Sequence, residues 1–475
     1  MDSQSTVGTP TTDYLAQVTP QLLAKHDRPG PRYTSYPTAI EFRESFTAED
    51  YAKRLATADQ RTGEPLSLYV HIPFCHQRCT FCGCNVVISR KPQICEKYLE
   101  HLHREIDLLA GALPNRRDLL QYHWGGGTPT YLTPEQMQRL HAKIAGHFRL
   151  PAGAEAAIEV DPRVTTKQHL KTLRSLGFNR ISIGVQDFTP EVQEAVNRVQ
   201  PVEPTRELIE YARGIGFSSV NIDLIYGLPL QTPAAFRQTL DTVIGMRPER
   251  VAVYSFAFVP WIRGNQRKLI ESQLPEREVK FSLFTEALVA FLGAGYLQIG
   301  MDHFALPEDD MGRAAANRTL YRNFMGYTVH KAADFLGLGV SSIGSVQGAF
   351  AQNAKKLPRY YEALGAGRFP IERGYVLTRD DAIRAKVIRE LMCNFRVDAT
   401  EAEAEFGIDF EDYFARELAE LSEPGGAAEQ GFAEVSSHGV DVLPLGRLFI
   451  RNICMIFDPY LREKRGDRPV FSRTV

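Results

Sequence analysis

The sequence predicts an α/β fold: a partial parallel barrel of the (β/α)6 type, with an N-terminal arm and a smaller, mainly helical C-terminal domain. Three observations carry this reading. Six short β-rich runs alternate with stretches whose apolar residues recur at helical spacing, and strand, helix, strand in repetition calls for parallel strands joined by crossover helices. Polar residues stand at or near the C-terminal ends of three of those apolar runs. After about residue 375 the strand signal fades and helical periodicity takes over.

Residues 1–60 read as an arm rather than a core, because "KHDRPGPRYTSYPTAIEF" (25–42) holds prolines and a glycine that deny it a long helix. The barrel and its extension occupy 61–374. Its strand runs are "LSLYVHI" (66–72), "LQYHWGG" (120–126), "AAIEVDP" (156–162), "RISIGVQ" (180–186), "SVNIDLI" (219–225) and "RVAVYSF" (250–256). Helices are expected in "EKYLEHLHREIDLLAGAL", "TPEQMQRLHAKIAGHF", "TKQHLKTLRSLG", "TPEVQEAVNRV" and "PTRELIEYARGIG", with Thr-Pro openings as starts. In 375–475, "TRDDAIRAKVIRELMCNF", "TEAEAEFGIDFEDYFARELAELSE" and "LFIRNICMIFDPYLREK" look helical, and "EPGGAAEQG" reads as a loop or hairpin approach.

With 55 Lys+Arg against 57 Asp+Glu, a net charge of −2 and 44% hydrophobic residues, the 475-residue chain has no basic field that suggests nucleic acid or anionic membrane. No apolar run approaches the length of a membrane span. The polar, acidic stretch "MDSQSTVGTPTTDYLAQ" lacks the apolar segment of a signal peptide. Of the seven cysteines, Cys95, Cys393 and Cys454 are scattered, which is no disulfide framework, so a reducing cytoplasmic setting is expected. Nothing calls for an obligate assembly, and a monomer is expected.

Glu159 in "AIEVDP", Gln186 in "SIGVQD" and Asp223 in "VNIDLIYG" sit at successive strand ends. In an α/β barrel those ends share the face where substrates bind. One such residue is as easily a cap on nearby backbone; three at equivalent places favour a site. The glycines of "HWGGGTPTYL" would let backbone approach a ligand closely, although tight turns use the same residues.

The loop after the first strand, "HIPFCHQRCTFCGCN", gathers Cys75, Cys79, Cys82 and Cys84. A structural zinc site usually takes two separate Cys-x-x-Cys pairs, and no second pair exists. A redox dithiol would use Cys79 and Cys82 and leave the other two without a role. A [4Fe–4S] cluster is the favoured reading, because cluster proteins draw several thiolates from one closely spaced run, and three can leave the fourth iron open.

Cys75-x₃-Cys79-x₂-Cys82, with Phe81 before the last cysteine, resembles the signature of the radical S-adenosylmethionine (SAM) superfamily. Nearly the whole chain resembles the oxygen-independent coproporphyrinogen III oxidase family of anaerobic haem synthesis. The likeness runs through "DRPGPRYTSYPTA", "YVHIPFCHQRCTFCGCN", "HWGGGTPTYL", "IEVDPR", "SIGVQDF", "NIDLIYGLP", "IGMDHFA", "RNFMGYT", "LGLGVSSI" and "RNICMIFDPYLR". The resemblance implies that Cys75, Cys79 and Cys82 hold a [4Fe–4S] cluster whose open iron is chelated by SAM. Reductive cleavage would then give a 5′-deoxyadenosyl radical that takes hydrogen from a propionate β-carbon of coproporphyrinogen III. Loss of CO₂ and an electron would give a vinyl group at each of two propionates, with an electron donor that the sequence does not name. The resemblance further implies that the first SAM meets Tyr69, Gly126, Glu159 and Ile343. A second SAM would meet Phe81, Gly127, Thr128, Gln186, Arg198, Asp223 and Ala257. Without the resemblance, Arg198 reads as a solvated helix charge.

Cys84 is surplus to a three-thiolate cluster, and it reads either as a group near the substrate or as a small buried residue. A substrate with four propionates calls for cations, and Arg28, Arg32, Arg263, Lys268 and Arg322 are candidates; each also reads as an ordinary surface charge. His303 in "GMDHF" reads by default as a satisfied core histidine. Two relatives with the same cofactors are rivals: a haem-binding or haem-delivery protein, and an enzyme that opens or modifies haem. Cys84 and the "PRYTSYP" arm favour the oxidase over the haem-binding group.

Overall fold

The structure, a computed structural model, describes residues 12–463 and 471–474. The reading of residues 1–11 as polar and acidic, and the end of the last helical stretch at Lys464, lie outside the described residues. The six expected strands form at Leu66–Ile72, Leu119–Gly126, Glu155–Val160, Arg180–Gln186, Ser219–Tyr226 and Arg250–Ser255, each paired in parallel with the next. Helices connect them at Pro92–Ala112, Pro134–Ala145, Lys167–Ser175, Pro190–Ala195, Val202–Gly214 and Pro233–Met246. Thr133 and Thr166 each accept from the third backbone N–H of their helix and close a capping box, whereas Thr189 makes no such bond.

Strand periodicity sorts the side chains. Ile158, Val160, Ile181, Ile183, Ile222 and Leu224 are buried under the helices. The residues between them belong to the opposite face: Glu155, Ala157 and Glu159; Arg180, Ser182, Gly184 and Gln186; Ser219, Asn221 and Asp223. The concave face is therefore polar, which a sheet tolerates only where those groups bond one another or a ligand. Its lower layer does the former. Arg180 pairs with Glu155 at 3.1 Å, Arg250 with Asp309 at 2.8 Å, and Gln121 donates to Glu155 at 3.0 Å.

The sheet extends beyond the six expected strands. Asp334–Leu338 adds a further parallel strand beside the first. Antiparallel strands Ile343–Val346, Ala349–Asn353 and Ile371–Val376 follow on that edge, and His303–Ala305 with Leu297–Ile299 completes the other. Among the described residues the two outermost strands do not pair, so the barrel stays open.

Two large hydrophobic cores form. One lies between the sheet and its helices; the other belongs to the C-terminal region. Residues 13–59 do not stand apart from them as the reading of an arm outside the core expects. Leu23, Tyr33 and Tyr36 are buried in the second core. The helix Ala48–Asp59, begun by a Thr47/Asp50 capping box, buries Tyr51, Leu55 and Ala58 in the first, because their spacing gives it one apolar face. The C-terminal region is mainly helical: Arg379–Asn394, Ala399–Phe406, Phe410–Tyr413, Ala415–Ser422, Pro444–Arg447, Ile450–Ile456 and Pro459–Glu463. It also holds a three-stranded antiparallel sheet of Arg396–Asp398, Gly439–Val442 and Ala433–Ser436.

Candidate functional site

The apolar first strand ends at Ile72, and Pro73 turns the chain into the cysteine loop at the C-terminal ends of the barrel strands. The loop is anchored at its base, where Val87 N–H donates to Pro73 O at 2.7 Å and Phe74–Cys75 pairs with Val87–Ile88. Its tip is held from outside. The Asn265 amide donates to the carbonyls of Cys79 (3.4 Å), Thr80 (2.9 Å) and Cys82 (3.0 Å). Buried Gln266 donates to Phe81 O at 3.1 Å and to Ala257 O at 3.0 Å. Neither residue carries a sequence signal, although both stand between the candidate cations Arg263 and Lys268. The missing signal is tertiary, since an amide that binds carbonyls 180 residues away leaves no local pattern.

A cavity of about 260 Å³ opens beside the loop and is lined by Cys75, Cys79, Cys82 and Cys84. The thiols differ. Burial pushes Cys75 up to about 11. Bonding from Cys84, by its thiol and its backbone N–H (3.4 Å), brings Cys82 down to about 6. Cys79 Sγ lies 3.7 Å from Arg198 Nη1 and 3.8 Å from Arg163 Nη2, so two guanidiniums flank it. Among the described residues no three His, Cys, Asp or Glu side chains converge as a single metal ion would need. A cubane does not ask for such convergence, since it takes each thiolate on a different iron. The donor set fits a three-thiolate cluster.

The glycine triplet follows the next strand end. Gly126 has φ 117°, and a Cβ there would lie 2.6 Å from the His71 ring. At Gly127 a Cβ would meet the Pro73 carbonyl carbon at 2.8 Å. The triplet is thus demanded by close approach to the cysteine strand, and it presents backbone to the cavity. Gly126 N–H donates to Glu159 Oε2 at 2.9 Å, and Thr128 Oγ1 lies 3.4 Å from Cys75 Sγ.

Gly126, Gly127, Thr128, Phe81, Glu159, Gln186, Arg198 and Asp223 all line this cavity. Desolvation works to raise the Glu159 carboxyl, but the His123 hydrogen bond and charge, with the Gly126 N–H, outweigh it and hold the group below its ordinary range. Desolvation and the charge of Glu159 push Asp223 up to about 6, against bonds from Ser182 and Asn221. Two carboxylates facing one cavity raise each other's cost until a cation comes between them. Gln186 has φ 70°, a strained conformation for a residue with a side chain, where the register shifts against the neighbouring strand. Arg198 is no solvated charge. It is buried, 3.2 Å from Asp161 Oδ2, and Asp161 also binds Arg163 at 2.6 Å. Asp161 and Arg163 went unread, although both stand in the quoted "IEVDPR".

Tyr69, Ile343 and Ala257 are not in the cavity wall. Tyr69 OH bonds His71 Nδ1 at 3.1 Å and its ring stacks on His123, which places it behind Glu159. Ile343 begins the strand whose backbone packs on Gly337, the register partner of Tyr69. Ala257 accepts the Gln266 bond that braces the loop. Cys84 faces the cavity.

The cation candidates scatter. Arg28 and Lys268 are exposed, Arg263 is half-buried with a charge that favours the Cys82 thiolate, and Arg32 pairs with Asp302. Arg322 faces a different cavity. His303 bonds Asp302 through Nδ1 at 2.7 Å and holds Nε2 3.5 Å from Tyr254 OH, so it is partnered as the default reading expects. It also lines the barrel interior, where sequence gave no placement. Among the described residues no helix is long and apolar enough to cross a membrane.

Comparison with known proteins adds names to this geometry. Residues 69–243 match the Radical SAM superfamily and residues 377–449 the HemN C-terminal domain. The chain is 46% identical to the oxygen-independent coproporphyrinogen III oxidase of Salmonella typhimurium over 454 residues, covering 96% of this chain and 98% of that one. It is 46% identical to the Escherichia coli protein of the same name over 458 residues, with the same coverage. The Synechocystis protein of that name is 42% identical over 470 residues, 98% of this chain and 99% of that one. A solved structure of coproporphyrinogen III oxidase from Escherichia coli, described as a radical SAM enzyme, superposes with a TM-score of 0.87 at 45% identity, covering 90% of this chain and 97% of that one.

Proposed function

The chain belongs to the oxygen-independent coproporphyrinogen III oxidases of the radical SAM superfamily, and from that premise we propose how its own residues serve the reaction. The protein is a radical SAM oxidoreductase of haem biosynthesis. It decarboxylates two propionate side chains of coproporphyrinogen III oxidatively to vinyl groups, giving protoporphyrinogen IX. When bound, the [4Fe–4S] cluster and SAM supply the 5′-deoxyadenosyl radical that takes the propionate hydrogen.

Cys75, Cys79 and Cys82 are the cluster ligands in this reading. Arg163 and Arg198 beside Cys79 offset the negative charge the thiolates bring, and Asn265 and Gln266 hold the loop backbone so the thiols stay in register. Glu159, steadied by Gly126 N–H, accepts an ammonium or ribose hydroxyl of the first SAM, with Gly126 as its backbone wall and Tyr69 and Ile343 completing the site. The same cavity offers a second SAM an ammonium acceptor in Asp223, a carboxylate partner in Arg198, and walls from Phe81, Gly127, Thr128 and Gln186, with Ala257 behind the wall on the Gln266 brace. The raised Asp223 carboxyl supports this role, because a cation beside it would restore its charge. We propose an external reductant, a monomer, and a cytoplasmic location. We also propose three functional parts, 1–60, 61–374 and 375–475; the two cores favour the division near 375, whereas the arm packs into both, Leu23, Tyr33 and Tyr36 into the second and the helix Ala48–Asp59 into the first.

One observation carries the reading: the thiol trio and most of the residues matched to SAM contacts, all but Tyr69, Ile343 and Ala257, line a single cavity at the strand ends. The test is anaerobic reconstitution with iron and sulfide, followed by product analysis with coproporphyrinogen III, SAM and dithionite. Protoporphyrinogen IX, CO₂ and 5′-deoxyadenosine are expected from the native chain, and none from Cys79→Ala. Cluster formation without decarboxylation would place the chain with the haem-binding relatives instead.

A further inference from the structure

Arg322 retains only 8% of its surface, and its Nε and Nη1 atoms are buried without a hydrogen-bond partner. A guanidinium left this way carries a desolvation cost that a bound anion would remove. Its described neighbour is the ring of Tyr327, 4.3 Å away and opposite it in the hairpin. Asp302 feels its charge but is engaged by Arg32 and His303, and among the described residues no ion pair reaches Arg322.

The cavity it faces, about 170 Å³, lies between the arm, the hairpin, the N-terminal edge of the sheet and the helix Arg379–Asn394. A second cation, Arg389, lines it, and no Asp or Glu does. Arg389 has Glu390 near it, though only at 3.9 Å. Tyr36 OH is also buried there without a partner, which adds an unused donor. Phe335 and Phe350 supply apolar wall. Two forked cations and a phenol in an aromatic pocket match a carboxylate carried on a flat, apolar body. A succession of ring contacts leads from Arg322 toward the reaction chamber. The Tyr327 ring lies 5.1 Å from His303, whose ring lies 5.5 Å from Tyr254, and Tyr254 lines the cysteine cavity.

We propose that this cavity is a carboxylate subsite that takes a propionate of the tetrapyrrole remote from the side chain being decarboxylated; it rests on the function proposed above. The probe is coproporphyrin III, the air-stable oxidised tetracarboxylate, with its tetramethyl ester as the charge-free control. Binding is measured by equilibrium dialysis against the cluster-loaded, SAM-bound enzyme. Arg322→Gln should weaken coproporphyrin III by about ten- to a hundredfold, with Arg322→Lys between. The ester should bind native and variant alike, and substrate-free SAM cleavage should be unchanged. Ala385→Glu, at a half-buried position of the same pocket wall, should weaken the tetracarboxylate, whereas Ala385→Lys should not.

Unchanged tetracarboxylate binding in Arg322→Gln overturns the proposal. So does equal loss of acid and ester, which marks a purely structural role, and so does identical behaviour of the two Ala385 variants. The two readings fail separately. Charge-dependent porphyrin binding without turnover keeps the subsite and sinks the oxidase, while turnover with an unaltered KM in Arg322→Gln does the reverse.

Discussion

Asn265 turns one amide on three carbonyls of the cysteine loop and touches no thiol. Its effect is to fix where the sulfurs stand before a cluster arrives, which is how outer groups govern metal affinity. Asn265→Ala should lower cluster affinity about tenfold or more, read as iron retained per chain after anaerobic dilution. The thermal midpoint of the metal-free protein should stay nearly the same, because the loop contributes little to either core. Equal iron retention in variant and native protein would remove Asn265 from the site. The glycine triplet acts at the same scale by the opposite means, allowing the loop to be approached where any side chain would collide.

At the scale of elements, the edge where the parallel strand Asp334–Leu338 joins the barrel is pinned by Glu105 of the helix Pro92–Ala112. Its carboxylate accepts from Gly339 N–H at 2.7 Å, and from Tyr360 OH and Asn353 Nδ2 at 2.5 Å each. Burial nonetheless pushes the group up to about 7 from 4.5, the hydrogen bonds only partly opposing it. A carboxyl with a raised folded value binds a proton more tightly in the folded than in the unfolded chain. Its contribution to stability is therefore complete below about pH 4.5 and is lost as pH rises through about 7. The loss is on the order of 3 kcal/mol. Urea midpoints of the metal-free protein between pH 5 and 8 should fall with this slope, and Glu105→Gln should flatten it even though it is less stable overall. Parallel slopes in the two proteins would exclude Glu105 as the source.

Over the whole molecule, Arg451 ties the two ends of the chain together. From the helix Ile450–Ile456 its guanidinium donates to the carbonyls of Gly30 and Pro31 in the arm and of Ser472 and Arg473 near the C-terminus. Arg451→Leu would strand buried carbonyls and should destabilise the second core by about 3 kcal/mol or more. Proteolysis is expected first within residues 20–46, ahead of the barrel, and calorimetry should resolve two transitions in place of one. A single transition with uniform cleavage would mean that the two cores unfold as one unit. The arrangement also bears on function, since the arm it secures walls the Arg322 cavity.

The sequence by itself determined the barrel strands, the cysteine loop and the polar strand ends. Each is a local signal: short β-rich runs between helical stretches, a dense run of one residue type, a polar residue closing an apolar run. Glu159, Gln186 and Asp223 could be assigned to one face without coordinates because strand direction and pleat fix that face. The tertiary structure alone decided what no local pattern encodes. It recruited Tyr51, Leu55 and Ala58 of the supposed arm to the barrel core, and it turned Arg198 from a solvated charge into a buried partner of Asp161 and Cys79. It also brought Asn265 across 180 residues to the loop and left Arg322 buried without a hydrogen-bonding mate. The reason is physical. Periodicity reports which face a side chain takes, whereas the partner it meets there depends on elements distant in the chain, whose packing sets the desolvation and charge around it.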